Sequence, residues 1–144
     1  MESIYEKNES IKNIMSDSPI TGTINEKFSA VVKKMEEGGI HHLPIVSGTD
    51  LVGIISSTDI LRSSFSDLYV SSNASTNESL DHTVKIEDIM QKDVVSLKDT
   101  DTVRHAADIL MKNQFNSIPV VTEEKELVGI VTSKDLIGYL ASQY

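Results

Sequence analysis

The sequence predicts an α+β fold made of two β-α-β-β-α repeats related by a pseudo-twofold axis, and three observations predict it. First, the chain contains one stretch twice: an apolar run through a proline, a short turn, a second apolar run through a glycine, then a hydroxyl residue three places before an aspartate. The first copy reads Leu43-Pro44-Ile45-Val46, then Leu51-Val52-Gly53-Ile54-Ile55-Ser56, then Asp59; the second reads Ile118-Pro119-Val120-Val121, then Leu127-Val128-Gly129-Ile130-Val131-Thr132, then Asp135. Second, the spacing is regular: Pro44 to Pro119 is 75 residues and Asp59 to Asp135 is 76, so one residue was added in the second turn. Third, 144 residues suit two small units that share burial better than two isolated cores of about 60 residues, which are only marginally stable. Two copies are too few for a solenoid, so they are expected to close on each other.

Each copy reads in the same order. An Ile-Met pair, Ile14-Met15 or Ile89-Met90, leads in. A short extended piece follows, from Pro19 to Thr23 in copy one and from Val94 to Leu97 in copy two, where β-branched residues favour a strand. A helix comes next. Phe28, Val31, Val32 and Met35 are spaced i, i+3, i+4, i+7, and Val103, Ala106, Ala107 and Leu110 repeat the pattern, giving each helix one apolar stripe. Asn25 and Thr100 are read as N-caps, worth roughly 1 kcal/mol each, and Gly38-Gly39 as the stop of the first helix. The two strands of a hairpin follow, turning through Ser47-Gly48-Thr49-Asp50 in one copy and Thr122-Glu123-Glu124-Lys125 in the other. A second helix opens after Ser56 or Thr132 and is expected to carry Ile60 and Leu61, or Leu136, Ile137 and Leu140, inward. The resulting division is an N-terminal arm at 1–10, repeat one at 11–70 with its last helix reaching about Val70, a Ser- and Asn-rich flexible linker at 71–83, and repeat two at 84–144.

Composition narrows the function classes. A net charge of −9 with 39% apolar residues leaves no broad basic surface, so nucleic-acid binding is not expected. No apolar run reaches the roughly 18 residues of a membrane span, and Met1 to Ser10 is too polar for a signal peptide, so the expectation is a cytoplasmic protein without membrane insertion. The absence of cysteine removes disulfides, thiolate zinc sites and cysteine nucleophiles.

The ordered set of the Ile-Met pair, His41-His42-Leu43-Pro44-Ile45-Val46, Leu51-Val52-Gly53-Ile54-Ile55-Ser56 with Asp59, and the matching Ser117-Ile118-Pro119-Val120-Val121 and Gly129-Ile130-Val131-Thr132 with Asp135 resembles the CBS domain family, whose paired copies form a Bateman module. The resemblance covers Ile11 to about Gln143. It implies that the repeats pack through their sheets, leave two clefts between them, and bind adenosine-containing ligands there as a stand-alone homodimeric module, with no cofactor required.

By spacing alone, Ser56 with Asp59 and Thr132 with Asp135 are capping boxes that satisfy the orphan amides at a helix start. The resemblance adds a ligand role: Asp59 and Asp135 accept from ribose hydroxyls, while Ser56 and Thr132 approach the ribose or a phosphate. A charge-assisted hydrogen bond of that kind is worth roughly 1.5 to 3 kcal/mol. His41 and His42 precede Pro44 where related modules carry groups that reach a phosphate. Adjacent strand residues point to opposite faces, which argues against a shared zinc ion. Copy two has Asn116 and Ser117 there, which offer hydrogen bonds without charge, so the two clefts are expected to differ in phosphate preference. Thr21 and Ser96 occupy matching places on the first strands, where the resemblance lets them contact an adenine edge. Pro44 and Pro119 suit a sheet edge at which the backbone faces a ligand. His82 and His105 are expected to be solvated.

An enzyme is not expected. The sequence has no G-x-S-x-G elbow, no H-E-x-x-H and no G-x-x-x-x-G-K-[ST] phosphate loop, and the two aspartates occupy symmetric places rather than forming an acid/base pair. The expectation is a module that senses an adenine nucleotide or another adenosyl compound and signals to an effector protein. The alternative is an interaction module whose clefts stay empty and whose helices, with Phe65, Leu68, Tyr69 and Val70, mediate assembly.

Overall fold

The structure, a computed structural model, describes residues 9–70 and 81–144, with the side chains of 64–70 left out. Most of the expected arm and linker, and the side chains of Phe65, Leu68, Tyr69 and Val70, lie outside the described residues. The chain is a mixed α+β protein that divides into two compact units, one of residues 20–94 and the other of residues 1–19 and 95–144.

In the unit of residues 20–94, β2 (Gly22–Thr23) leads through α1 (Phe28–Gly38) to the hairpin of β3 (His42–Ser47) and β4 (Asp50–Ser56), and then to α2 (Ser57–Val70). The sheet order is β2-β3-β4, with β2 parallel and β4 antiparallel to β3. A short helix, α3 (Ile86–Ile89), completes the unit. The stripe read from sequence forms the core: Phe28, Val31, Val32 and Met35 are all buried, and Val31 and Met35 pack with Leu43, Ile45, Ile55 and Ile86. The helix stops at Gly39, whose φ of 62° is the left-handed conformation that glycine adopts without a Cβ penalty, and whose N–H returns to the carbonyls of Glu36 and Met35.

The other unit repeats this plan. After a 3₁₀ turn (Ile11–Asn13), β1 (Ser16–Asp17) forms the edge of a sheet ordered β1-β7-β6-β5, in which β5 is Leu97–Lys98, β6 is Ser117–Val121 and β7 is Leu127–Thr132. Two helices, α4 (Val103–Lys112) and α5 (Ser133–Ser142), complete it. Ile11, Leu97, Ala106, Ile118, Val120 and Val131 form its buried core.

The Ile-Met pairs change partners between the copies. Met15 packs into the core of the unit built on residues 95–144, and Met90 into that of residues 20–94, so the sequence copies and the compact units divide the chain at different places. The glycines of the hairpins make room for this. A Cβ on Gly53 would lie 2.5 Å from Met90 Sδ and 3.1 Å from the Gln91 carbonyl; one on Gly129 would lie 2.6 Å from Met15 Sδ and 3.0 Å from the Ser16 carbonyl. The same approach lets Gln91 exchange two backbone hydrogen bonds with Ile54, at 2.8 and 3.0 Å.

Four expectations need correction. α1 begins two residues after Asn25, at N-cap Lys27, which makes no side-chain cap; its N-terminus is satisfied instead by Asp81, whose carboxylate accepts from Ser29 N and Ser29 Oγ, both at 2.7 Å. α4 is capped by Thr102 rather than Thr100, because Thr100 is spent in the turn that Asp101 closes by accepting from Lys98 N at 2.7 Å. Leu61, Ile137 and Leu140 are 59%, 65% and 56% exposed rather than inward, while Ile60 and Leu136 pack against the cores as expected. Finally, Pro44 and Pro119 sit buried in the central strands β3 and β6, not at edges. Pro44 is tolerated because it opposes Ile54, whose N–H and C=O point away to Gln91, and because β2 starts only at Gly22, opposite Ile45, so no ladder bond needs the missing N–H.

Candidate functional site

The corner where each hairpin passes into its following helix gathers most of the residues singled out from sequence. In both copies the helix start is a completed capping box. Ser56 N donates to Asp59 Oδ2 at 2.9 Å and Asp59 N donates to Ser56 Oγ at 3.1 Å; Thr132 N donates to Asp135 Oδ2 at 2.8 Å and Asp135 N to Thr132 Oγ1 at 3.1 Å. The carboxylates also sit in the first helical turn, where the helix dipole favours negative charge. Only one oxygen of each is used in the cap, so capping and ligand contact do not compete for the same atom. Oδ1 of Asp59 faces Arg62 Nη1 at 3.7 Å. Oδ1 of Asp135 has no hydrogen-bond or ion-pair partner among the described residues.

The strand opposite completes the corner. His42 is register partner of Ser56, and Ser117 is register partner of Thr132, so each pair shares a sheet face. Ser57 N donates to His41 O at 2.8 Å and Ser133 N donates to Asn116 O at 2.9 Å, which locks the residue before each hairpin to the first residue of the helix. Asp59 is 6% exposed, and Ser117 is equally buried, with an Oγ that finds no hydrogen-bond partner among the described residues. His42 titrates below its ordinary value of 6.5, because burial penalises the imidazolium and His41 repels it more than Asp59 attracts it.

The two histidines part company. His41 Nδ1 lies 3.3 Å from Ser57 Oγ, and His41 and Ser57 line a cavity of about 490 Å³ together with Val32, Met35 and Ile60. His42 lies toward Asp59, two residues further along α2 and therefore about 200° around the helix from Ser57. Copy one thus presents two faces, His41 with Ser57 and His42 with Asp59, in keeping with the alternation of side chains along a strand.

The remaining positions are less central. Thr21 and Ser96 each fall one residue before their short strand rather than on it; the Thr21 carbonyl accepts from Lys34 Nζ at 2.8 Å, and Ser96 is exposed. Asn116 is exposed, as are His82 and His105. Among the described residues no three His, Asp or Glu side chains converge to hold a metal ion, and no helix is long and apolar enough to cross a membrane. Sequence reasoning missed Arg62. Its signal was present in the repeat, since the same 76-residue spacing sets Arg62 against Gly138.

Comparison with known proteins places both repeats in one family. The family model for the CBS domain matches residues 11–66 and again 86–142. The chain is 34% identical over 136 residues to the uncharacterized protein MJ1225 of Methanocaldococcus jannaschii, covering 94% of this chain and 49% of that protein, so it spans about half the relative's length. The crystal structure of MJ1225 superposes with a TM-score of 0.82 at 32% identity, covering 94% of this chain and 49% of that one. The CBS domain pair of MJ0100, solved in complex with 5′-methylthioadenosine and S-adenosyl-L-methionine, superposes with a TM-score of 0.74 at 31% identity, covering 95% and 99% of the two chains. CBSX2 in complex with AMP shares the fold, with a TM-score of 0.77 at 20% identity over 93% and 97% of the two chains. With both repeats matched by the model and by solved CBS pairs, the chain belongs to the CBS domain family.

Proposed function

We propose that this chain is a regulatory ligand-sensing module that binds an adenine nucleotide or another adenosyl compound at its Asp59 and Asp135 corners. The observation that carries the reading is the repeated carboxylate: each is fixed by a capping box through Oδ2, which leaves Oδ1 to accept from a ribose hydroxyl without disturbing the helix. Ser56 and Thr132 are bonded to the same aspartates through their capping boxes, and His42 and Ser117 are their register partners on the neighbouring strands. The adenosyl ligands of the MJ0100 pair, 31% identical to this chain, support the ligand class. The reading makes the protein a regulator rather than a catalyst: occupancy shifts the protein toward the geometry that binds better, and an effector protein reads the change. It includes a cytoplasmic homodimer.

Thermal shift with AMP, ADP, ATP, S-adenosylmethionine and NAD tests the reading. A ligand at about 100 times its dissociation constant adds roughly 2.7 kcal/mol of stability. The melting temperature is expected to rise with at least one of them, and no rise with any would refute the reading.

One observation favours a second reading, an assembly module without ligand: Leu61, Ile137 and Leu140 are exposed on the helices that follow the corners. Light scattering separates the two. A dimer indifferent to every nucleotide supports assembly alone.

A further inference from the structure

We propose that Arg62 makes the Asp59 corner selective for a ligand that carries phosphate, whereas the Asp135 corner, with Gly138 and the buried Ser117 hydroxyl, takes a ligand uncharged at the same end. This rests on the ligand-sensing reading and assigns each corner its ligand chemistry.

Arg62 follows Asp59 by three residues, so the two side chains share a face of α2. Nη1 stops 3.7 Å from Asp59 Oδ1, beyond hydrogen-bonding distance, and the arginine side chain is 71% exposed. The guanidinium is thus held near the carboxylate while its donors remain uncommitted among the described residues. A planar fork of this kind matches a phosphate bidentately. No charge is expected from the other groups at the corner. Burial, and then His41, hold the His42 imidazole below its ordinary titration range, which leaves it neutral near pH 7, and His41 lies with Ser57 on the other side of α2. Arg62 is therefore the permanent cation beside Asp59.

The Asp135 corner inverts these features. Gly138 stands at the place of Arg62, with nothing within 4 Å of where a Cβ would be. Ser117 replaces His42, and its buried Oγ has no hydrogen-bond partner among the described residues, a cost that a ligand donor or acceptor at this point removes. Lys134, which stands where copy one has Thr58, is exposed and makes no ion pair with Asp135. It is the rival cation and belongs in the test.

Isothermal titration with AMP and with 5′-methylthioadenosine decides the matter, because the two share adenine and ribose and differ in phosphate against thioether. Arg62→Gln is expected to weaken AMP by about tenfold and leave 5′-methylthioadenosine within about twofold, in proportion to one lost charge-assisted contact. Ser117→Ala is expected to weaken 5′-methylthioadenosine several-fold, and Lys134→Gln to leave the ratio of the two affinities unchanged. An unchanged ratio in Arg62→Gln, or a ratio moved by Lys134→Gln instead, overturns the role of Arg62 while leaving adenosyl sensing intact. An unchanged 5′-methylthioadenosine affinity in Ser117→Ala overturns the assignment of the second corner. If the unmodified protein binds neither compound, this proposal fails, while the ligand-sensing reading falls only if ADP, ATP, S-adenosylmethionine and NAD also give no thermal shift.

Discussion

Replacing Asp81 by alanine removes the cap of α1 from 52 residues away. The helix begins at Phe28 with no side-chain cap from its own N-cap, Lys27, so its first amides depend on outside acceptors. Asp81 supplies both of its oxygens: Oδ1 accepts from Ser29 N and Oδ2 from Ser29 Oγ, each at 2.7 Å. Burial alone would raise this carboxyl, but the two Ser29 bonds, with Lys27 and His82 nearby, hold it below its ordinary value of 3.8. Loss of an N-cap costs about 0.5–2 kcal/mol, and the charged acceptor at a helix N-terminus places this site toward the upper part of that range. Asp81→Ala is therefore expected to cost about 1–2 kcal/mol, a fall of roughly 2–8 °C in melting temperature for a chain of this size. Asp81→Asn keeps one acceptor and loses the charge, so it is expected to cost about half as much. The assay is urea denaturation followed by circular dichroism at pH 7, run as a double-mutant cycle with Ser29→Ala. Because the folded-state pKa is depressed, the contribution of Asp81 is present above pH 3.8 and lost as pH falls through the folded pKa, so wild type and Asp81→Ala converge in acid. An Asp81→Ala protein as stable as wild type would refute the cap, and additive effects of Asp81→Ala and Ser29→Ala would refute the Ser29 Oγ bond.

Other outcomes follow from the same geometry. Gly53→Ala and Gly129→Ala force a Cβ against Met90 or Met15 and against a backbone carbonyl, so each is expected to cost about 1–3 kcal/mol in urea melts, where surface glycine Gly138→Ala is expected to be neutral or stabilising. Leu43→Ala empties a fully buried place in the core of residues 20–94, with an expected loss of about 2–5 kcal/mol. His42 is neutral in the fold and protonates more readily once unfolded, so stability is expected to decline as pH falls through 6.5 and toward the folded pKa; His42→Gln should flatten that decline in melts between pH 7.5 and 5.

The parts of the fold that were legible in the sequence are those whose signal is local. The stripe from Phe28 to Met35 and the stop at Gly39 follow from helical period and backbone chirality, and they need no knowledge of the rest of the chain. The capping boxes at Ser56 and Thr132 were legible for the same reason, because donor and acceptor lie three residues apart. What failed depends on distant partners. Asn25 fits a cap by local spacing, but the true acceptor, Asp81, lies 52 residues beyond Ser29, inside the stretch that composition alone marks as linker. Leu61, Ile137 and Leu140 fit an inward stripe by spacing, but spacing does not say whether another element covers that face. The rule that sends proline to a sheet edge holds when a neighbouring strand needs the N–H, and β2 and β5, which start opposite the residue after each proline, are too short to need it. Arg62 has no local signal that separates it from other polar residues on an exposed helix; only its pairing with Gly138 across the repeat sets it apart.

In the proposed site the two capped aspartates hold an adenosyl ligand by the oxygen that the cap leaves over. A crystal structure grown with AMP and 5′-methylthioadenosine at saturating concentration tests it most directly. Ribose density is expected with a hydroxyl about 2.5–3.0 Å from Oδ1 of Asp59 or Asp135, and with both capping boxes intact. Ligand density away from both aspartates, or corners that stay empty under those conditions, would contradict it.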